Sequence, residues 1–486
     1  MASLLTEDIY RHKNGLKHIN LIDSEGFSAL FVVNTPVVDN SGVAHGVEHM
    51  VFRGSSAFPQ PVTLFQLTSL TDAKVNASTF ADTTYFHCQS QCPDTFNLAI
   101  KYLLNGLFNP VFNAKDLQCE IHDGKDKGVI YQELLGAEQA DKNSTKESDK
   151  NNFCYGGVSA SIGNLSLKDL TNFHQRFYQA NNITLVTANA DIAQISHLIS
   201  LLPKQKQQFK PIKVVLNKYN KTQDIETAEH NKKKYPQTIK KLIAIYHQWL
   251  QDPCYQQIDN YKEITNAQKA LVADTYAPLM FSHSKLIPSL ICLSNHLIEK
   301  TIIDEAANTG INNGNIKQST NKTLLPNLFT QLCLQVKKQL NNDKANHDVN
   351  HSYASDQRNA LWLTKVNASE QVLANIASYI ISAYPKFLAP RCQGSCYATQ
   401  ALTIESSAYL AIYSAFDITP DKWLENIPHC LLELSQDHRF ISMSLALAKI
   451  KYCRVNQVRS SQVENITFTD ISTYLLRVAH NRHPKV

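Results

Sequence analysis

The stretch His45-Gly46-Val47-Glu48-His49 places two histidines and a glutamate at the spacing H-x-x-E-H. On a helix, residues i and i+4 lie one above the other on the same face, so both imidazoles can reach a single metal ion. Glu48 lies beside them, where a carboxylate can take a proton from water activated by that ion. The stretch therefore predicts a helix with a zinc site suited to hydrolysis.

The alternative is an ordinary helix that happens to contain two histidines. Gly42 and Gly46 are poor helix formers, each costing about 1 kcal/mol relative to alanine in a helix interior, so something besides propensity shapes this segment. Met50-Val51-Phe52 follows as an apolar run that can bury the far side of the helix. These two features favour the metal-site interpretation.

A catalytic zinc ion normally takes three protein ligands and leaves one position for water, so a third ligand is needed. The segment Gly128–Ala137 has apolar residues at helical spacing and contains Glu133. Taken alone, such a glutamate is most often an exposed surface residue. The residues by themselves leave the third ligand open.

Further segments match one known family in order along the chain. They are Tyr10–Gly15, Phe27–Pro36, Asp39–His45, Arg53–Ser55 with Phe58-Pro59, Val75–Tyr85 and Tyr102–Phe112. In these segments the chain resembles the zinc peptidases with the inverted motif, the family of pitrilysin, insulin-degrading enzyme and the mitochondrial processing peptidase. The presequence-peptidase branch is the most similar. The resemblance covers roughly the first 190 residues.

The resemblance implies an α+β fold, in which repeated domains of antiparallel sheet covered by helices form all or half of a clamshell peptidase chamber. It also implies that Glu133, 84 positions after His49, is the third zinc ligand, although Leu135 departs from the polar residue usual there. One zinc ion per chain, held by His45, His49 and Glu133, would lower the pKa of its bound water to about 7. Glu48 would be the general base that takes the proton and later returns it to the leaving amine.

Two further elements resemble substrate-handling parts of the family. Arg391 and Tyr397 match its R-x5-Y element, which implies a hydroxyl donor in Tyr397 and a substrate-backbone contact for Arg391. An arginine and a tyrosine six apart also occur often without any such role. Asn76 and Ala77 match the active-site edge strand, which would bind an extended peptide by strand addition, whereas Asn76 could equally be an ordinary turn or strand-end residue.

Length and composition predict a soluble multi-domain enzyme. The chain has 486 residues, 43% of them hydrophobic, and no apolar run of the length that spans a membrane. We expect a catalytic domain at 1–203, a polar linker at 204–236, a shortened helical or mixed middle domain at 237–345 and a mixed C-terminal domain at 346–486. Without an N-terminal secretion signal, a cytoplasmic location and no membrane partner are expected.

Net charge and cysteine content argue against a nucleic-acid-binding protein and against a disulfide-stabilised fold. The net charge of +5 is modest, and the short lysine runs lack a recognition pattern, so no nucleic-acid partner is expected. Eleven cysteines indicate no disulfide framework, and the pairs Cys88/Cys92 and Cys392/Cys396 are only weak metal-binding signals.

Two functions from different classes remain. The first is a zinc metalloendopeptidase that hydrolyses short or unfolded peptides, and the second is a catalytically silent member of the family that serves as a peptide-binding or assembly subunit. Retention of every predicted metal ligand favours the enzyme. Because the chain has about half the usual length of the branch, a homodimer or paired subunit is also expected.

Overall fold

A computed structural model of the chain describes residues 7–21, 27–142, 154–202, 351–354, 360–404, 409–456, 458 and 460–480. We call residues 7–202 the N-terminal unit and residues 351–480 the C-terminal unit. Both contain a sheet with helices packed on it, which confirms the α+β class. The predicted linker at 204–236 and middle domain at 237–345 lie outside the described residues, so the domain boundaries stay predictions.

The N-terminal unit contains a six-stranded sheet in the order β1-β2-β6-β3-β5-β4. The strands are β1 Glu7–Arg11, β2 Lys17–Leu21, β3 Phe27–Asn34, β4 Lys74–Thr79, β5 Thr83–Ser90 and β6 Ile183–Ala188. Neighbours pair antiparallel except β2 and β6, which are parallel. The central strand β3 is apolar along its length because both of its faces are buried: Phe31 and Val33 join the main core, whereas Leu30 and Val32 join a second cluster.

Helices of the N-terminal unit cover one face of this sheet. They are α1 Val43–Arg53, α2 Thr63–Leu70, α3 Pro93–Phe108, α4 Ala114–Glu120, α5 Val129–Lys142, α6 Ser159–Ile162, α7 Leu167–Phe177 and α8 Ile192–Ser200. The predicted helices around the motif and around Glu133 are thus confirmed as α1 and α5. Gly106 of α3 lets that helix approach α1 closely, since a Cβ there would lie 2.6 Å from the carbonyl oxygen of Val51.

The C-terminal unit contains a four-stranded antiparallel sheet in the order β7-β8-β10-β9. Its elements are β7 His351–Ala354, β8 Ala360–Lys365, α9 Gln371–Ala383, α10 Pro385–Cys392, β9 Ala398–Ile404, β10 Tyr409–Ala415, α11 Pro420–Gln436, α12 His438–Val455 and α13 Phe468–His480. Strand β10 is a mostly apolar segment at the centre of this sheet. Its residues from Leu410 to Ala415 are all buried.

Helix α2 joins the two units. Gln66 donates its side-chain amide to the carbonyl of Ala383 at 3.2 Å, and the Lys451 ammonium reaches the carbonyl oxygens of Thr68 and Ser69 at 2.7 and 2.9 Å. Because Lys451 caps the carbonyl end of α2, α12 lies against that helix end. A single hydrophobic cluster contains core residues of both units. The C-terminal unit is therefore fixed beside the helices that surround α1.

Within the described ranges no single helix has the length and apolarity to cross a membrane. One pair of helices with a bend of 49° between them, Ala368–Ala383 and Pro385–Cys392, together has a sufficient length and apolar composition, and rests on those two properties only.

Candidate active site

Two glycines fix the start of α1. Gly42 is the residue before the helix and has a positive φ of 74°, and Gly157 crosses it so closely that a Cβ on Gly157 would lie 2.7 Å from the Gly42 Cα. Only glycine combines this backbone conformation with such an approach. The crossing brings the segment 154–157 against the first turn of α1, where His45 lies.

The two histidines of α1 both direct their Nε2 atoms toward the Glu133 carboxylate. His45 Nδ1 lies 2.9 Å from the Gly156 carbonyl oxygen and His49 Nδ1 lies 3.1 Å from Glu120 Oε2, so both Nδ1 atoms act as donors. A ring that donates from Nδ1 keeps its Nε2 lone pair free. Both Nε2 atoms lie 3.8 Å from Glu133 Oε2. The tautomers are therefore those of a metal ligand pair.

Glu133 Oε2 is a buried oxygen without a hydrogen-bond partner among the described residues. A buried polar atom without a partner costs free energy, and a carboxylate oxygen in that state fits a cation better than a void. Ligand atoms of His45, His49 and Glu133 lie within 4.8 Å of one another. Two imidazole nitrogens and one carboxylate oxygen are the donor set of a catalytic zinc site, so these residues fit zinc.

Glu48 lies in the same turn of α1 and is buried. Thr79, at the end of β4, donates its hydroxyl to Glu48 Oε2 at 2.5 Å. Burial raises the pKa of Glu48, although the neighbouring imidazoles and this hydrogen bond oppose the shift. A carboxylate with a raised pKa is a better base than an exposed one. The arrangement holds one oxygen of Glu48 in place and makes this carboxylate a candidate base.

Glu120, the last residue of α4, is buried behind His49 and binds two arginines. Arg53 donates to its Oε1 at 3.0 Å, and Arg391 donates to Oε1 at 2.6 Å and to Oε2 at 3.2 Å. Burial favours the neutral acid, but Arg391, the hydrogen bond from His49 and Arg53 outweigh it and hold the pKa of Glu120 well below its usual value. Burial alone lowers the pKa of His49, yet the bond to Glu120 and the surrounding carboxylates raise it overall.

All the predicted site residues line one cavity of about 410 Å³. These residues are His45, Glu48, His49, Asn76, Ala77, Glu133, Arg391 and Tyr397. The charge of Glu133, followed by burial, raises the pKa of Tyr397 far above its usual value, so the phenol keeps its proton and is a donor. Tyr397 packs edge-on against Phe416 at 5.9 Å between ring centroids. The C-terminal unit thus supplies two of these predicted side chains, and Ala398 of the same unit also lines the cavity.

Strand β4, which contains Asn76 and Ala77, stands at the end of the six-stranded sheet and pairs on one side with β5. Asn76 is exposed, and its side-chain oxygen accepts a hydrogen bond from the Ala77 amide at 2.9 Å. Among the described strands the other side of β4 has no neighbour, and residues 76–79 line the cavity.

Three site residues were not predicted from the sequence: Glu120, Gly156 and Thr79. Gly156 acts through its carbonyl oxygen and leaves no side-chain signal, whereas the adjacent pair Gly156-Gly157 is a signal for a close backbone approach. The cysteine pairs show no metal-binding arrangement: in the described part of the chain the metal-binding group of three or more residues is His45, His49 and Glu133. The described cysteines are all free thiols.

A comparison with protein families agrees with this geometry. The profile described as Insulinase (Peptidase family M16) matches residues 37–146, a range that contains both histidines, Glu48 and Glu133. This part of the chain is similar to the insulinase family of peptidases. The chain is also similar to presequence proteases.

Two presequence proteases each match less than two fifths of the chain. The mitochondrial presequence protease of Candida albicans is 28% identical over 210 residues, covering 38% of this chain and 20% of the relative. Presequence protease 1 of Arabidopsis thaliana is 26% identical over 198 residues, covering 36% of this chain and 18% of the relative. The match thus spans about a fifth of the length of these relatives. A solved structure, a protease from Helicobacter pylori, aligns over 98% of this chain and 96% of its own at 10% identity with a TM-score of 0.34, too low to carry an argument.

Proposed function

We propose that this chain is a zinc metalloendopeptidase that hydrolyses short or unfolded peptides. The observation that carries the proposal is Glu133 Oε2, a buried carboxylate oxygen that has no hydrogen-bond partner in the described part of the chain and lies 3.8 Å from both Nε2 atoms of His45 and His49. A fold that needed these residues only for stability would satisfy that oxygen with a donor. The similarity to the insulinase family supports the same conclusion.

The chemistry divides between the metal and the side chains around it. When bound by His45, His49 and Glu133, zinc supplies a Lewis acid that acidifies water and polarises a carbonyl. Glu48 takes the proton from the attacking water and returns it to the leaving amine, while Thr79 holds the carboxylate in position. Tyr397, with its proton retained, donates its hydroxyl to the oxyanion that develops on the substrate.

The substrate is held mainly through its backbone in this proposal. The open side of β4 offers amide and carbonyl groups to an extended peptide, which adds to the sheet as a further strand. Backbone pairing depends little on side chains, so we expect broad specificity among extended peptides. A cytoplasmic location and the pairing of two chains stay predictions from the sequence.

The test compares the native chain with Glu48→Gln on a quenched fluorescent peptide, with zinc content measured on the same samples. We expect kcat/KM to fall by about 10²–10⁴ while zinc content is unchanged, because the amide cannot accept the proton. Arg477→Ala is the matched control, since Arg477 pairs with Glu370 in the C-terminal unit and contacts none of the predicted site residues. Zinc-loaded native protein with no chelator-sensitive cleavage would support the silent alternative instead.

A further inference from the structure

We propose that Arg391 is a positioning residue of the zinc site, through which the C-terminal unit sets the metal affinity of the N-terminal unit. The contact runs from Arg391 to Glu120 and from Glu120 to His49. This inference rests on the proposed function, because it assigns a role toward the zinc ion that His49 would hold.

The geometry places all three groups in one chain of hydrogen bonds. The two terminal nitrogens of Arg391 bind the two carboxylate oxygens of Glu120 at 2.6 and 3.2 Å, and Oε2 of that carboxylate accepts from His49 Nδ1 at 3.1 Å. A fork of this kind fixes the plane of the carboxylate as well as its position. The orientation of the imidazole is therefore tied to the guanidinium.

The hydrogen bonds from Arg391 through Glu120 to His49 connect the two units. The described residues that bond to the Glu120 carboxylate are His49, Arg53 and Arg391, and of these Arg391 alone belongs to the C-terminal unit. Arg53 divides its donors among Glu120, Asp116 and the Cys392 carbonyl. Arg391 is thus the group whose fork spans both oxygens of Glu120.

The segment that holds Arg391 is itself fixed against the N-terminal unit. The Gly128 amide donates to the Gly394 carbonyl at 3.0 Å, just before the helix that carries Glu133. Gly394 has a positive φ of 73°, and a Cβ there would lie 2.2 Å from the Cys119 carbonyl oxygen. Phe65 lies beneath the guanidinium at 5.2 Å from its ring centroid. These contacts hold the arginine in place before any ligand arrives.

The burial of Arg391 and its pairing with Glu120 also distinguish a positioning role from a contact with the substrate backbone. The side chain of Arg391 is 11% exposed, and a fork onto a peptide carbonyl would require it to leave Glu120. Removing one partner of a buried charge pair is costly, so the native position favours the carboxylate. The two roles predict different measurements.

The experiment is a competition titration of the full-length apo chain with Zn²⁺ against a chromophoric chelator. Arg391→Ala should weaken zinc binding by about tenfold, and Glu120→Gln by about 10–100-fold, as expected for groups that orient a metal ligand. Arg391→Lys, which keeps the charge and loses the fork, should lie between native and alanine. In the Co²⁺-substituted protein the visible absorption band should shift for Arg391→Ala, because the geometry of His49 at the metal changes. Arg477→Ala serves as the control and should leave both unchanged.

The double variant that combines Arg391→Ala with Glu120→Gln tests whether Arg391 acts through Glu120. If Arg391 works through Glu120, adding Arg391→Ala to Glu120→Gln should weaken zinc binding by less than about twofold further, because the two changes remove one connection. An unchanged zinc affinity in Arg391→Ala, with a raised KM in both backgrounds, would overturn the proposal and assign the arginine to substrate. A native chain that binds no zinc would instead contradict the proposed function itself. The unfolding midpoint of each apo variant shows whether the variant is folded.

Discussion

Two glutamates flank His49, and their surroundings differ. Glu120 is buried with both oxygens bonded, by His49, Arg53 and Arg391. Glu133 faces the cavity with its Oε2 buried and without a hydrogen-bond partner in the part of the chain that the structure describes. The first region is complete as it stands, whereas the second gains its partner only from a ligand. The difference separates the residues that hold the site together from those that we propose hold the metal.

The comparison first predicts effects on stability of very different size. Glu120→Ala should destabilise the apo protein by about 3–5 kcal/mol, because it leaves the buried Arg391 without its carboxylate and takes from Arg53 one of its two carboxylate partners. Glu133→Ala should change the apo stability by less than about 1 kcal/mol, because no hydrogen bond to Oε2 is lost. Urea unfolding in the presence of a chelator measures both. Equal losses for the two variants would show that the two regions do not differ in this way.

Zinc should stabilise the native chain but not a chain without Glu133. At a free zinc concentration of about 1,000 times Kd, the gain in unfolding free energy is about 4 kcal/mol. Calorimetry with and without zinc measures this gain as a rise in Tm. In Glu133→Ala the rise should be largely lost, and a full rise in that variant would remove Glu133 from the ligand set.

The next prediction concerns Thr79, which donates a hydrogen bond to the proposed base Glu48. Thr79→Val keeps the shape of the side chain and removes the donor to Glu48, so kcat/KM should fall by about tenfold, as for the loss of one hydrogen bond to a charged group. Thr364→Val, a buried change in the sheet of the C-terminal unit, is the matched control and should stay within about twofold. A Thr79 variant with native kcat/KM would show that the hydroxyl does not position the base.

Histidines elsewhere in the N-terminal unit should make the apo protein sensitive to acid. Burial lowers the pKa of His18 to about 3 and of His87 and His174 to about 4, below the ordinary value of 6.5. Each lowered pKa contributes stability that is complete above pH 6.5 and is lost as the pH falls toward 4. The loss is about 1.4 kcal/mol per pH unit for each histidine.

The pH dependence is measured by urea unfolding between pH 7 and 5 with a chelator present. Replacing His174, which donates to the Leu107 carbonyl at 2.8 Å, should reduce the slope of the unfolding free energy against pH by the contribution of about one proton. An unchanged slope would mean that His174 is protonated equally in the folded and unfolded states.

The sequence predicted which residues come together at the site better than it predicted their surroundings. Residues i and i+4 must share a helix face, so His45 and His49 follow from spacing alone, and the family pattern located Glu133. Glu120 was missed because its contact with His49 depends on how α4 crosses α1, 71 residues apart along the chain. No local pattern in the sequence encodes that crossing.

The C-terminal unit shows the same limit. The sequence marked Arg391 and Tyr397, and both line the cavity. It did not show that the guanidinium would bind Glu120, because that pairing joins positions 271 residues apart. Sheet order is similarly long-range: the placement of β6 between β2 and β3 follows from tertiary packing rather than from strand propensity.

The most direct test of the account is the zinc stoichiometry and affinity of the native chain beside Glu133→Gln, a variant of nearly equal shape. The account predicts one zinc ion per native chain and an affinity at least about 100-fold weaker in the variant, since the amide is a poor ligand in place of the carboxylate. Equal zinc affinity in the two chains would contradict it.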